Sequence, residues 1–358
     1  MTIVDRNGEL KNGLQLQRDL SMAISEYAPD SQVVANGKLI TSRYIRKSPN
    51  KSWRMYSYDI CDICHNLNTY LYIPGEHVEE NEKQYCQNCW GKLSQKHKGV
   101  YLIPEFGFIA DGNIKKPGLR KPVRTFKGEV SYIGSRNLEE ETLLRVGAAK
   151  IYVRSSKSEE MAVLNRGQFY VCEQCGYTKL EKCYLPIIRD KKKHERAAGG
   201  ECTNKELKNY ALGYRFKTDI LSMRFVDPTF ANGEKTEDEA LSILYGILEG
   251  ASRELSIERE DISGCLNWFF NQESRTAQCG FILYDRTPGG AGHVRRLADP
   301  KTLEKVFDRT YRLMNSCTCG GESMDTSCYS CLRNYYNQKY HDRLQRGYVV
   351  NFLKKILF

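Results

Sequence analysis

The spacing of hydrophobic positions changes along the chain. Over roughly the first two hundred residues, apolar and polar side chains alternate in short runs. The segment SQVVANGKLITSRYIRK, from residue 31, alternates and breaks at Asn36-Gly37, a two-residue hairpin signal. Between 99 and 170 the runs GVYLIPEFGFIA, EVSYIG, KIYVRS and QFYVC are β-type and separated by glycine and proline, which predicts short strands. After Lys205 the segments lengthen. TDILSMRF at 218–225 predicts a strand, and residues 237–257 carry apolar side chains at three- and four-residue spacing, an amphipathic helix. DISGCLNWFF and CGFILYDR predict two further strands. YDRTPGGAGHVRRLAD predicts a turn running into a helix, KTLEKVFDRTYRLMNS that helix continued or a second one, and DRLQRGYVVNFLKKILF a closing helix. Intermingled strands and helices give an α+β fold.

Composition narrows the class. The 358 residues are 41% hydrophobic and 27% charged, enough for a core and too apolar for a disordered chain. No apolar run approaches the ~18–20 residues of a membrane span, and the N-terminus lacks the pattern of a signal peptide. The expectation is a cytoplasmic protein with no membrane partner.

Fourteen cysteines in such a chain point to metal ligation in preference to disulfides. Cys61-x-x-Cys64 and Cys86-x-x-Cys89 form two knuckles 21 residues apart, with β-type residues and a Pro-Gly turn between them, as a zinc ribbon requires. His65 and His77 lie inside that ribbon as bystanders. Cys317, Cys319, Cys328 and Cys331 fall within fifteen residues, too dense for a core, so a metal has to organise the loop; Gly320 and Gly321 supply its tight turn. Cys172-x-x-Cys175 has no second knuckle. His194 and Cys202 are the best candidates to complete it, with Cys183 in competition. Cys265 and Cys279, set among aromatic and aliphatic residues, read as core positions. Two or three structural zinc ions are therefore expected, and closed four-ligand shells leave no position for substrate. The organisation predicted is a β-rich N-terminal segment (1–58), a zinc ribbon (59–110), a β-rich connector with the second knuckle (111–204) and an α/β domain with the four-cysteine loop (205–358).

The formal charge is +10, falling to roughly +5 once thiolate-bound zinc is counted. Positive charge clusters at 115–127 and at 189–196, where Lys191, Lys192 and Lys193 are candidates to meet phosphates against the plain reading of a solvated loop. Near the end of the chain, Arg333, Tyr335, Tyr336, Tyr340 and Arg343 combine cations and aromatics, which suits stacking on bases or, equally, packing of the last helix. In the turn at 285–293, Gly289, Gly290, Gly292 and His293 follow a strand and precede a helix, so their backbone amides are placed to hold a phosphate unless the glycines serve tight packing alone. A P-loop and a GxGxxG fingerprint are absent. Asp238-Glu239-Ala240-Leu241 looks like a helicase acidic box, but no hydrophobic strand precedes it, and it reads as a helix N-terminus. Asp285 and His293 have no nucleophile beside them, so no catalysis is expected of this chain alone.

The strings LGYRFKTDILSMRF, ALSILYGILEGASRELSIEREDI, FILYDRTPGGAGHVRRL and CTC…CYSCLRNYYNQKYHDRL together resemble the C-terminal zinc-binding domain that follows the motor of MrfA-type DEAD/DEAH-box helicases. Related domains occur in the DrmB component of DISARM phage defence. The likeness covers nearly the whole chain and is most specific over 281–343. It implies that Cys317, Cys319, Cys328 and Cys331 hold zinc, and that the partners are DNA, single- or double-stranded, and a helicase motor. Neither motor lobe is present, so the motor has to be a separate chain or a missing N-terminal part. The function expected is a zinc-binding accessory module of a helicase in DNA repair or phage defence. A zinc-ribbon interaction scaffold without DNA contact is the alternative.

Overall fold

Two antiparallel strands, Ala149–Val171 and Glu206–Asp227, organise the structure. At ~3.3 Å per residue the first extends about 75 Å, so one ladder serves two separate cores. The computed structural model describes residues 1–4, 10–48, 50–75, 84–94, 96–119, 121–123, 128–134, 141–180, 187–189, 193–227, 234–271 and 275–358.

At one end of the ladder, Ile151, Val153, Leu221, Met223 and Phe225 face the hairpin Ile262–Asn271/Thr276–Asp285 and the helices Glu234–Leu255, Pro300–Ser316 and Arg346–Leu357. Phe225 is central: its ring lies 5.0 Å from Phe352 and 5.9 Å from Phe281, both edge-on. Such aromatic contacts add directional attraction to the area buried. Gly250 lets the first helix approach the second, since a Cβ there would lie 1.9 Å from Thr310 Oγ1. The second helix starts sharply. Asp299 accepts from the Thr302 amide at 2.9 Å and Pro300 occupies the first turn, where its missing N–H costs nothing.

At the other end, Val163, Phe169, Val171, Tyr210 and Leu212 join Ile24, Ile40, Ile45, Trp53 and Phe108 in a second core. Its sheet runs in the order Leu10–Gln15, Thr2–Val4, Phe108–Ala110, Lys38–Ile45, Gln32–Ala35. The Asn36-Gly37 hairpin turn forms as the sequence predicts, with φ of 49° and 67°, the two positive values that match strand twist.

The larger sheet continues from Glu206–Asp227 through Gly99–Leu102 and Met55–Ile60 to Leu67–Leu71. A strand that begins at Glu206 and pairs with Ala149–Val171 carries the ladder across residue 205. The hairpin Met55–Ile60/Leu67–Leu71 likewise spans residue 59. Among the described residues no helix is long and apolar enough to cross a membrane.

Candidate metal centres

Three knuckles share one backbone frame. In each, the first cysteine's amide donates to the carbonyl five residues on, and the amide four residues on donates back to that cysteine's carbonyl. The bonds are Cys61 to Asn66 and His65 to Cys61, Cys86 to Gly91 and Trp90 to Cys86, Cys172 to Tyr177 and Gly176 to Cys172, all between 2.8 and 3.0 Å. The residue after the second cysteine is left-handed in each: His65 at φ 52°, Trp90 at 57°, Gly176 at 77°. Only Gly176 adopts this without strain, and it needs to, because a Cβ there would lie 2.0 Å from the Ile45 carbonyl oxygen.

These frames bring the sulfurs together. Cys61, Cys64, Cys86 and Cys89 form one group; Cys172, Cys175, His194 and Cys202 a second; Cys317, Cys319, Cys328 and Cys331 a third. Within each group the ligand atoms lie within 4.8 Å of one another. A zinc ion at about 2.3 Å from each of four tetrahedral sulfurs sets them about 3.8 Å apart. The pairs Cys61–Cys89 and Cys64–Cys86 are at 3.5 Å, Cys172–Cys202 at 3.8 Å, Cys317–Cys328 at 3.6 Å and Cys319–Cys331 at 3.8 Å. A disulfide requires about 2.05 Å, so these are not bridges. The donor chemistry and spacing fit zinc, and all three groups are able to hold it.

The first centre is buried and rests on Leu93, Ala277, Trp268 and Phe270, with Asn88 donating to the Trp268 carbonyl at 3.1 Å. In the second, glycines at φ 86° and 79° (Gly199, Gly200) turn the chain so that the Cys202 amide reaches the His194 carbonyl at 2.8 Å. His194 Nε2 lies 3.3 Å from Cys175 Sγ, and the imidazole stacks on Tyr177 at 4.5 Å. Cys183 lies outside the described residues, as does His77. Cys265 and Cys279 are buried in the sheet away from all three groups.

The third centre is more open: Cys317, Cys319 and Cys328 are half-buried and only Cys331 is buried. Arg346 holds its loop. This arginine is 4% exposed, and its guanidinium donates to the carbonyls of Cys319 (2.7 Å), Gly321 (2.8 Å) and Met314 (3.3 Å). Cysteine spacing gave no hint of it. Its burial is visible only in the fold, where such a charge must find several acceptors.

Four thiols in one small volume cannot all ionise without a cation. The bond between Cys64 and Cys86 pushes Cys64 far above the usual thiol range and holds Cys86 down at about 4. A bond from Cys175 likewise holds Cys172 at about 4. Burial opposes ionisation of Cys328, but backbone and thiol hydrogen bonds bring it down to about 7. When bound, a dication makes four deprotonated ligands mutually compatible, which couples metal to folding.

Several of the residues expected to meet phosphate bond to groups of the protein itself. Asp285 is fully buried, and its carboxylate accepts from the amides of Ala291 (2.7 Å), His293 (3.1 Å) and Val294 (3.0 Å). The turn carrying Gly289, Gly290 and Gly292 thus does cradle an anion, the protein's own carboxylate, and these amides are not open to an external phosphate. It leads into a single 3₁₀ turn, Val294–Ala298, which offers little dipole. Arg333 is locked in the zinc loop, donating to Ser327 Oγ at 3.0 Å and the His341 carbonyl at 3.1 Å. Arg343 pairs with Glu237 at 3.2 Å and with Asp238. The latter acid lies near the N-terminus of the helix Glu234–Leu255, where the sequence places it. Lys193 pairs with Glu201 at 2.5 Å, whereas Lys191 and Lys192 fall outside the described residues, along with Arg120, Arg124 and Lys127. Tyr335 and Tyr336 reach solvent, with their hydroxyls on Glu26 (2.8 Å) and Glu260 (2.9 Å).

Residues 243–332 match the family model MZB, the MrfA Zn-binding domain. The Druantia protein DruE of Escherichia coli (strain UMEA 4076-1) is 25% identical over 388 residues, covering 98% of this chain and 20% of its own. A solved structure described as the DUF1998 helicase MrfA bound to DNA shares 12% identity at a TM-score of 0.34, over 85% of this chain and 34% of its own. The chain thus spans about a fifth of the length of the curated relative. The MZB match ends one residue past Cys331, so the whole third centre lies inside the stretch that is similar to the MrfA Zn-binding domain.

Proposed function

We propose that this chain is a zinc-organised accessory module that contacts DNA and works with a DEAD/DEAH-type helicase motor, in DNA repair or phage defence. The motor acts in trans or within a longer polypeptide. The observation that carries this reading is the four-cysteine centre inside the MZB match, in a sequence that has no P-loop of its own. Similarity to DruE over 98% of the chain supports treating the N-terminal ribbon and middle knuckle as parts of the same module. The zinc ions would be structural, since each shell is closed by four protein ligands. The domains are read as a β-rich N-terminal segment, a ribbon, a connector and the C-terminal zinc-binding domain.

The test is fluorescence anisotropy of labelled single- and double-stranded DNA against zinc-loaded protein across a salt series. Binding supports the reading, and its salt slope reports the number of phosphates contacted. No binding of either DNA at low salt sinks DNA contact. It favours the second reading, an interaction scaffold that reaches nucleic acid only through its motor. The engagement of Arg333, Arg343 and Lys193 by the protein's own groups favours that alternative.

A further inference from the structure

A cavity of about 1720 Å³ lies between the helix Leu20–Glu26 and the C-terminal region. Small-molecule sites occupy roughly 300–1000 Å³, so this one suits several units of a polymer. Its charges are largely cancelled in place: Arg18 pairs with Glu26 at 3.2 Å, Arg166 with Glu129 at 2.8 Å and Arg343 with Glu237 at 3.2 Å. What the walls offer is planar surface. The Arg286 guanidinium lies 3.9 Å over the Tyr336 ring, and Tyr335 stands perpendicular to Tyr336 at 5.5 Å. Tyr214 and Phe216 stack at 5.7 Å on another wall. Hydroxyl bonds to Glu26 and Glu260 fix the two exposed tyrosines, so little side-chain entropy is lost when a ring is covered. Arg286 has no carboxylate within ion-pair distance among the described residues; its other contact is Met22 Sδ at 3.7 Å.

We propose that this cavity binds single-stranded nucleic acid through its bases, with the Tyr336–Arg286 pair as the stacking platform and the phosphates turned outward. The proposal rests on the DNA-contact reading above and assigns it a place and a chemistry. Flat aromatic faces backed by a guanidinium accept any base, and paired charges repel neither the bases nor the sugar. Duplex DNA keeps its bases stacked on one another and presents none of their faces.

Anisotropy with the full zinc-loaded chain tests this, using oligo-dT and an abasic oligomer of the same length and charge. The expected result is binding of oligo-dT with a shallow salt slope, and loss of binding for the abasic chain. Tyr336→Ala weakens oligo-dT binding roughly 5- to 150-fold, while Tyr336→Phe, which keeps the ring and loses only the hydroxyl bond to Glu260, weakens it by no more than roughly 5-fold. Arg286→Ala weakens it in the same direction. Equal affinity for the dT and abasic chains overturns the cavity proposal yet leaves DNA contact standing through phosphates. Undiminished oligo-dT binding by a zinc-replete Tyr336→Ala also overturns it. No binding of either oligomer overturns the cavity proposal, and DNA contact falls with it only if duplex DNA also fails to bind at low salt. The abasic comparison uses the wild type, so it decides even where a variant folds poorly.

Discussion

Arg346→Lys separates what the metal contributes to the third centre from what the guanidinium contributes. Arg346 is 4% exposed and spans three carbonyls, those of Cys319, Gly321 and Met314, at 2.7, 2.8 and 3.3 Å. An ammonium on a single stem can meet one of them, since only the planar fork spreads its donors. Two charge-assisted bonds to buried or part-buried carbonyls are then lost at about 1–1.5 kcal/mol each, so the substitution costs about 2–3 kcal/mol. With a denaturant slope of ~3 kcal/mol/M, the urea midpoint falls by about 1 M. Zinc content should change with it: two ions per chain remain resistant to a competing chelator, and the third becomes labile. An Arg346→Lys protein with the wild-type midpoint and three equally resistant zinc ions would refute the reasoning, and would mean that the thiolate shell orders this loop unaided.

Further outcomes follow from the same geometry. Gly176→Ala forces a methyl to 2.0 Å from the Ile45 carbonyl oxygen at a φ of 77°, so it should cost ~2 kcal/mol or more and remove the second zinc, read as stoichiometry by metal analysis. On acidification the centres should empty in order. Cys328, Cys86 and Cys172 are each held below the ordinary thiol value by hydrogen bonds despite burial, so the stability each contributes is lost as pH falls through its folded pKa, and protons reach the third centre first because three of its four cysteines are half-buried while all four of the first centre are buried. Metal release followed by a colorimetric chelator should therefore begin at the third centre; release from a buried centre first would contradict this. Asp285→Asn replaces an acceptor of three amides by a group that turns a donor toward some of them, at about 2–4 kcal/mol, read as a lower urea midpoint. Arg333→Ala should lower stability by about 1–3 kcal/mol and leave DNA affinity nearly unchanged, because its Nε and one Nη are held by Ser327 and His341 inside the zinc loop.

The grouping of cysteines was readable because a tetrahedral ion imposes short, regular spacings on its ligands. The helices at 234–255, 300–316 and 346–357 were readable because each buries one face at helical period. The long ladder was not. Its irregular pairing between Ser156 and Glu159, and between Asn165 and Phe169, breaks the alternation into pieces that look like separate short strands. The seven-residue helix Leu20–Glu26 is too short to show a period. The glycine turn reads in the sequence as a place for an external phosphate or as a tight packing turn, and spacing does not reveal that Asp285, four residues before the first glycine, takes the amides of Ala291, His293 and Val294. Arg333 and Arg343 carried the composition of a nucleic-acid surface, and only the fold shows which acids and carbonyls claim them.

The contact between the first ribbon and the hairpin Ile262–Asn271/Thr276–Asp285 has a kinetic consequence. Asn88 bonds Trp268, 180 positions later, and Tyr335 reaches Glu26 across 309. During synthesis at ~5–20 residues per second, the ribbon emerges about nine seconds or more before the surface it rests on. Its apolar underside has to wait, and closure of so large a loop places the molecule among slow folders of high contact order. Early capture of zinc by the four ribbon cysteines would hold the nascent hairpin in register over that interval, giving the metal a role as a temporary chaperone as well as a permanent clasp.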